Sequence, residues 1–143
     1  MENNTNEVTI RMDSRSQNEA FSRVAAAAFV AALDPTISEL TDIKTAVSEA
    51  VTNAIIHGYE NKPGQVTLHM RQDGRRITIT VSDQGIGISD IGLARTPTYT
   101  SKPELERSGM GFTVMESFMD ELEVTSVPGG GTTVRMTKTI AAE

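Results

Sequence analysis

The sequence predicts an α+β two-layer sandwich, a mixed, mainly antiparallel sheet covered on one face by helices. Three observations predict it. Apolar residues recur at helical spacing over 21–32 and again over 40–54. They alternate strictly on either side of Asp73-Gly74, at Val66, Leu68 and Met70 and then at Ile77, Ile79 and Val81, the pattern of an antiparallel hairpin. The resulting order, β-α-α-β-β-lid-α-β-β, suits helices gathered on one side of an antiparallel sheet.

Taken in order, residues 1–6 are polar and expected to fray, as are 141–143. Val8, Ile10 and Met12 alternate with polar residues as in a half-buried strand. In the first helix Phe21, Val24, Ala25, Ala28, Phe29 and Ala32 form the expected core stripe, which ends near Asp34-Pro35. Glu19 and Arg23, four apart, would lie on the face away from Phe21, Val24 and Ala28. Thr36 followed by Glu39 has capping-box spacing and opens a second helix with the apolar row Leu40, Ile43, Val47, Ala50, Val51 and Ala54. That helix should stop around His57-Gly58. A turn over 61–64 leads into the hairpin. Residues 83–111 then break every periodicity, with five glycines and two prolines, as an active-site loop or lid does; 89–108 is the expected lid. A short helix over 112–119, a strand at Leu122 and Val124, a turn over 128–131 and a strand at Val134, Met136 and Ile140 complete the chain.

At 143 residues the expectation is one domain spanning 1–143, large enough to bury its own core without a metal or disulfide. The absence of cysteine excludes disulfides, thiolate metal sites and thiol nucleophiles. No stretch approaches the roughly 20 apolar residues that span a bilayer, and the start lacks the basic and apolar regions of a signal peptide, so a cytoplasmic location is expected. A net charge of −6 and 4% aromatic residues argue against direct nucleic-acid binding, which needs phosphate neutralisation and stacking.

Four short motifs carry chemistry. Glu49 and Asn53 are one helical turn apart and share a face. Such a pair is ordinarily a solvated row, but Asn53 lies among Ala50, Val51, Ala54, Ile55 and Ile56, where an amide needs partners. Asp83-Gln84-Gly85-Ile86-Gly87 follows directly on a strand. Its aspartate suits an exocyclic amine such as that of adenine, and its glycines let backbone approach a flat ligand. Gly109-Met110-Gly111 opens a helix, where unpaired amides and the helix dipole favour phosphate; an ordinary glycine entry to a helix fits equally well. Gly131-Thr132 reads by itself as the exit of a hairpin turn. His57 and His69 have no metal-ligand spacing, and neither a phosphate loop of the Gly-Lys-Ser/Thr type nor a Gly-x-Ser-x-Gly elbow is present.

In this order the four motifs resemble the N box and glycine boxes of the Bergerat-fold ATPase-kinase superfamily, which includes gyrase B, Hsp90, histidine kinases and MutL. The resemblance covers about residues 7–140. The runs 48–59 and 106–112 are similar to the anti-sigma F factors of spore-forming bacilli, a family of serine kinases that also inhibit sigma factors. The resemblance implies ATP/ADP and Mg²⁺ as cofactors, with Asn53 as the magnesium ligand. It implies that Glu49 orients or deprotonates a substrate serine. Asp83 would bind the adenine amino group, with Gly85 and Gly87 along the ring and Thr132, or failing it Thr133, on the other side. Gly109, Met110 and Gly111 would hold phosphates, and Arg107 would reach the terminal phosphate. The implied partners are a sigma F-like sigma factor, an anti-anti-sigma protein as phosphorylation substrate, and a second copy in a homodimer. Glu19 and Arg23 are the candidate partner contacts. Two related readings stand beside it: a general-stress anti-sigma kinase and a stand-alone histidine-kinase-like ATPase module.

Overall fold

The computed structural model describes residues 5–59, 62–87 and 111–141. Its elements are β1 (Thr5–Asp13), α1 (Gln17–Val30), α2 (Ile37–Asn53), β2 (Gln65–Asp73), β3 (Arg76–Asp83), α3 (Gly111–Phe118), β4 (Glu121–Val127) and β5 (Gly131–Thr139). The five strands form one sheet in the order β1-β2-β3-β5-β4. Every neighbouring pair is antiparallel, so the expected parallel component is not found among the described residues. The three helices pack through α2, which contacts both α1 and α3.

Strand alternation sorts side chains by face. Val66, Leu68, Met70, Ile77, Ile79, Val81, Val134 and Met136 are buried, and Ile43, Ala46, Val47, Ala50 and Val51 of α2 join the same core. The opposite face of the sheet carries Thr67, Ser82 and Thr133 in one register row, with Ser82 and Thr133 hydroxyls 3.4 Å apart. The β2–β3 loop is Gly74-Arg75, one residue later than Asp73-Gly74, because Asp73 still pairs with Arg76. Gly74 takes φ +62° at the first loop position, as a two-residue hairpin of type II′ requires. β1 starts at Thr5, paired with Asp73, so Thr5 and Asn6 are not frayed. Nor is Ala141, whose amide donates to Glu39 Oε2 at 2.9 Å and whose carbonyl accepts from Arg75 at 2.9 Å.

The capping box forms as expected. Thr36 Oγ1 accepts from the Glu39 amide at 3.0 Å, and Glu39 Oε1 accepts from the Thr36 amide at 2.9 Å. The amides of Ala141 and Thr36 hold the Glu39 carboxyl below its usual pKa.

α1 corrects the expected core stripe. Phe21 is 52% and Val24 66% exposed, and Ala28 is exposed, whereas Ser22, Ala26 and Val30 are buried. The physical reason is size. Small residues on the inner stripe let α1 and α2 approach closely, and an alanine-rich helix offers little contrast between its faces. Glu19 and Arg23 do lie away from Phe21 and Val24, but that side is turned towards α2: Ser48 Oγ donates to Glu19 Oε2 at 2.9 Å, and the same oxygen meets Arg23 Nε at 2.6 Å.

Candidate functional site

The site grows from the end of α2. Glu49 and Asn53 are both half-buried, Asn53 being the last α-helical residue. Beyond it the chain widens into a π turn over Ala54–Gly58, closed by the Tyr59 amide donating to Ala54 O at 3.0 Å. Such turns cost regular helix geometry and recur at functional sites. Asn53 thus lies about one turn and Glu49 about two turns back along the axis from Gly58.

Gly58 meets the end of β3. A Cβ on Gly58 would lie 2.8 Å from Asp83 Cγ, and one on Gly85 would lie 2.0 Å from the Gly58 carbonyl oxygen. Only glycine allows the helix end and the 83–85 loop to interlock this closely. Asp83 is 5% exposed. Its Oδ1 accepts from the Gly85 amide at 2.9 Å. Burial pushes its carboxyl pKa above the ordinary aspartate value, and hydrogen bonds from the Gly85 and Thr132 backbone draw it partly back. A carboxylate has about four acceptor positions, so capacity remains for an incoming N–H donor.

Thr132 is the register partner of Asp83 and, like it, buried, so the two side chains share the core-side face. Its hydroxyl lies 2.9 Å from Ser126 Oγ. Thr133 belongs to the opposite face, against Ser82, so of the two threonines only Thr132 shares a face with Asp83. Gly87 takes φ +77°, and a Cβ there would lie 2.2 Å from Val127 O; the loop rests on the β4–β5 hairpin, where the Gly129 amide donates to Ile86 O at 2.6 Å.

The structure therefore brings Asp83, Gly85, Gly87 and Thr132 together at one end of the α2 axis that carries Asn53 and Glu49. Gly111 is the first residue of α3, which packs on α2. Arg107, Gly109, Met110 and the lid over 89–108 lie outside the described residues. His69 faces outward on β2, 2.9 Å from Glu7 Oε2, and His57 sits in the π turn. No group of three or more His, Asp or Glu able to hold a metal occurs among the described residues. Asn53 could offer a single neutral side-chain oxygen, a ligand of the kind magnesium accepts while keeping several waters.

Sequence reasoning assigned no role to Tyr59. Its hydroxyl accepts from the Gln84 amide at 2.7 Å and donates to Gln65 O at 2.6 Å. The one available signal was its place directly after the His57-Gly58 helix end.

Comparison with known proteins agrees with this geometry. The histidine kinase-like ATPase domain family matches residues 12–138. The anti-sigma F factor of Thermoanaerobacter pseudethanolicus is 60% identical over 97% of both chains. That of Clostridium kluyveri is 61% identical over 93% of this chain and 94% of its own, and that of Oceanobacillus iheyensis 58% identical over 95% and 94%. The crystal structure of the RsbU and RsbW domains of Rv1364c from Mycobacterium tuberculosis superposes with a TM-score of 0.69 over 96% of this chain, which spans 33% of that one; at 21% identity it supports the fold alone. No helix among the described residues is long and apolar enough to cross a membrane. A domain of this kind binds ATP or ADP and uses it in kinase chemistry. The chain belongs to the anti-sigma F factor family, and its residues 12–138 form a histidine kinase-like ATPase domain.

Proposed function

We propose that residues 1–143 are one ATP-binding kinase domain that binds and inhibits a sporulation sigma factor and phosphorylates an anti-anti-sigma protein on serine. The observation that carries the nucleotide part is Asp83: a buried, partly satisfied carboxylate opposite Thr132, wedged between Gly58 and Gly85. Burying such a group without further use costs stability, and an exocyclic amine is the donor it lacks. With adenine at Asp83, the phosphates run along α2 towards Asn53 and Glu49.

Glu49 takes the proton of the substrate serine as the serine oxygen bonds to the γ-phosphorus and the bond to the β-phosphate oxygen breaks, leaving ADP. Asn53 would hold magnesium, which would screen phosphate charge. Gly109, Met110 and Gly111 supply backbone donors to the phosphates, and Arg107 pairs with the terminal one. Since the transferred group needs little covalent help, alignment and charge stabilisation provide most of the acceleration.

Partner switching follows. The nucleotide-bound protein, as a homodimer, holds the sigma factor; the unphosphorylated antagonist displaces it, and phosphorylation of the antagonist restores inhibition. Incubation with γ-labelled ATP, magnesium and an anti-anti-sigma protein should place acid-stable label on a serine of that protein. Acid-labile label, or ATP hydrolysis with no labelled protein, would favour histidine chemistry or a stand-alone ATPase instead.

Glu19 and Arg23 serve as partner contacts in this reading. Arg23 is only half-exposed and tied to Glu19, so a partner carboxylate would have to share or replace that pairing. Arg23→Ala should weaken sigma-factor and antagonist binding in a pull-down titration while leaving ADP affinity unchanged; undiminished binding of both proteins removes Arg23 from the interface.

A further inference from the structure

We infer that Tyr59 is a positioning residue for adenine recognition, holding the loop that aims Asp83; this rests on the nucleotide reading of the site. The loop leaving β3 has three successive amides, and each is committed to a different acceptor. Gln84 N–H donates to the Tyr59 hydroxyl at 2.7 Å, Gly85 N–H to Asp83 Oδ1 at 2.9 Å, and Ile86 N–H to Gly58 O at 2.9 Å. Of these acceptors, one is backbone and one is the recognition group itself. Tyr59 is the remaining side chain that sets the loop's orientation.

Tyr59 is itself held from several sides. Its hydroxyl donates to Gln65 O at 2.6 Å, so the proton is committed and the oxygen is left to accept from Gln84. Its ring covers Gly64, where a Cβ would come within 2.5 Å of ring carbons. Its amide closes the π turn on Ala54, and its carbonyl accepts from Lys62 N–H at 2.8 Å. One residue therefore links the end of the helix that carries Asn53, the start of β2 and the exit of β3. Without the hydroxyl, the Gln84 amide loses its acceptor, and the loop can turn that amide towards the Asp83 carboxylate. That amide then competes with an incoming amino group for the acceptor positions left on Asp83, which lowers the preference for a purine that carries one.

The experiment compares two ligands in three proteins. Dissociation constants for ADP and for purine riboside 5′-diphosphate, which lacks the 6-amino group, are measured by calorimetry on the wild type, Tyr59→Phe and Asp83→Asn. Phenylalanine keeps the ring over Gly64 and removes only the oxygen. Tyr59→Phe should lower the preference for ADP over the analogue about fivefold, the worth of one ordinary hydrogen bond, with analogue affinity nearly unchanged. Both ligands see the same competent fraction, so the ratio is insensitive to any loss of folded protein. A wild-type ratio in Tyr59→Phe, including equal weakening of both ligands, overturns the inference and leaves Tyr59 a structural residue. If Asp83→Asn also keeps the wild-type ratio, the adenine assignment itself falls; if Asp83→Asn loses the preference and Tyr59→Phe does not, only the role of Tyr59 falls.

Discussion

Asp83→Asn should weaken adenine nucleotide binding about 10- to 100-fold, the cost of losing a buried hydrogen bond to a charged acceptor. The substitution is nearly isosteric. Its remaining carbonyl can still accept from the Gly85 amide, which then directs the new NH₂ group at the ligand's own amine. Stability should not fall with affinity. The Asp83 pKa is raised by burial, so between its unfolded and folded values the native state binds more protons than the unfolded one, and stability declines as pH rises through that window. Above the folded-state pKa the full penalty is present, and asparagine removes it. The variant should therefore melt at or above the wild-type temperature while calorimetry records weaker ADP binding. The same linkage gives the wild type a pH signature. ADP affinity should decline on acidification at a higher pH than an ordinary aspartate would produce, and that decline should vanish in Asp83→Asn. Unchanged ADP affinity in the variant would undo the adenine assignment.

Glu49→Gln carries the second large effect. Glutamine keeps the size and hydrogen-bonding capacity of the half-buried side chain on α2 but cannot take a proton. Phosphotransfer to the substrate serine should fall about 10²- to 10⁴-fold, the range for losing a general base. ADP affinity should stay within about twofold, because Glu49 lies about two helical turns from the adenine end. Single-turnover transfer and ADP calorimetry on the same preparation separate the two. Undiminished transfer would remove Glu49 from the mechanism, and weakened binding with normal transfer would make it a binding group.

What was legible in the chain was what local chemistry decides. The Thr36–Glu39 box needs only a hydroxyl and a carboxylate three residues apart, and it forms with both expected bonds. The alternation from Val66 to Val81 survives because the turn between the two runs is short and carries Gly74 at positive φ. The inward face of α1 was legible only in part, at Ala25 and Phe29, which pack against the core. Its alanines are small enough for either side to pack, and the inner stripe of Ser22, Ala26 and Val30 follows from how closely α2 approaches, which no local pattern encodes.

The site divides in the same way. Glu49 and Asn53 share a face by helix geometry alone, and Asp83 announces itself at a strand end before two glycines. Which of Thr132 and Thr133 shares a face with Asp83 needed the register of β3 against β5, since a shift of one residue exchanges the faces. Tyr59 was invisible because its role consists of contacts to Gln84 and Gln65, both tertiary. The same holds for Gly58, which reads as a helix terminator until the Asp83 carboxylate is found against it.

The most direct test of the account is a crystal structure of the protein with ADP and magnesium. It should place the adenine amino group about 3 Å from an Asp83 carboxylate oxygen, with the phosphates on the Asn53 side of the π turn. An adenine whose amino group faces solvent, with Asp83 bonded only to the Gly85 and Thr132 amides, would contradict it.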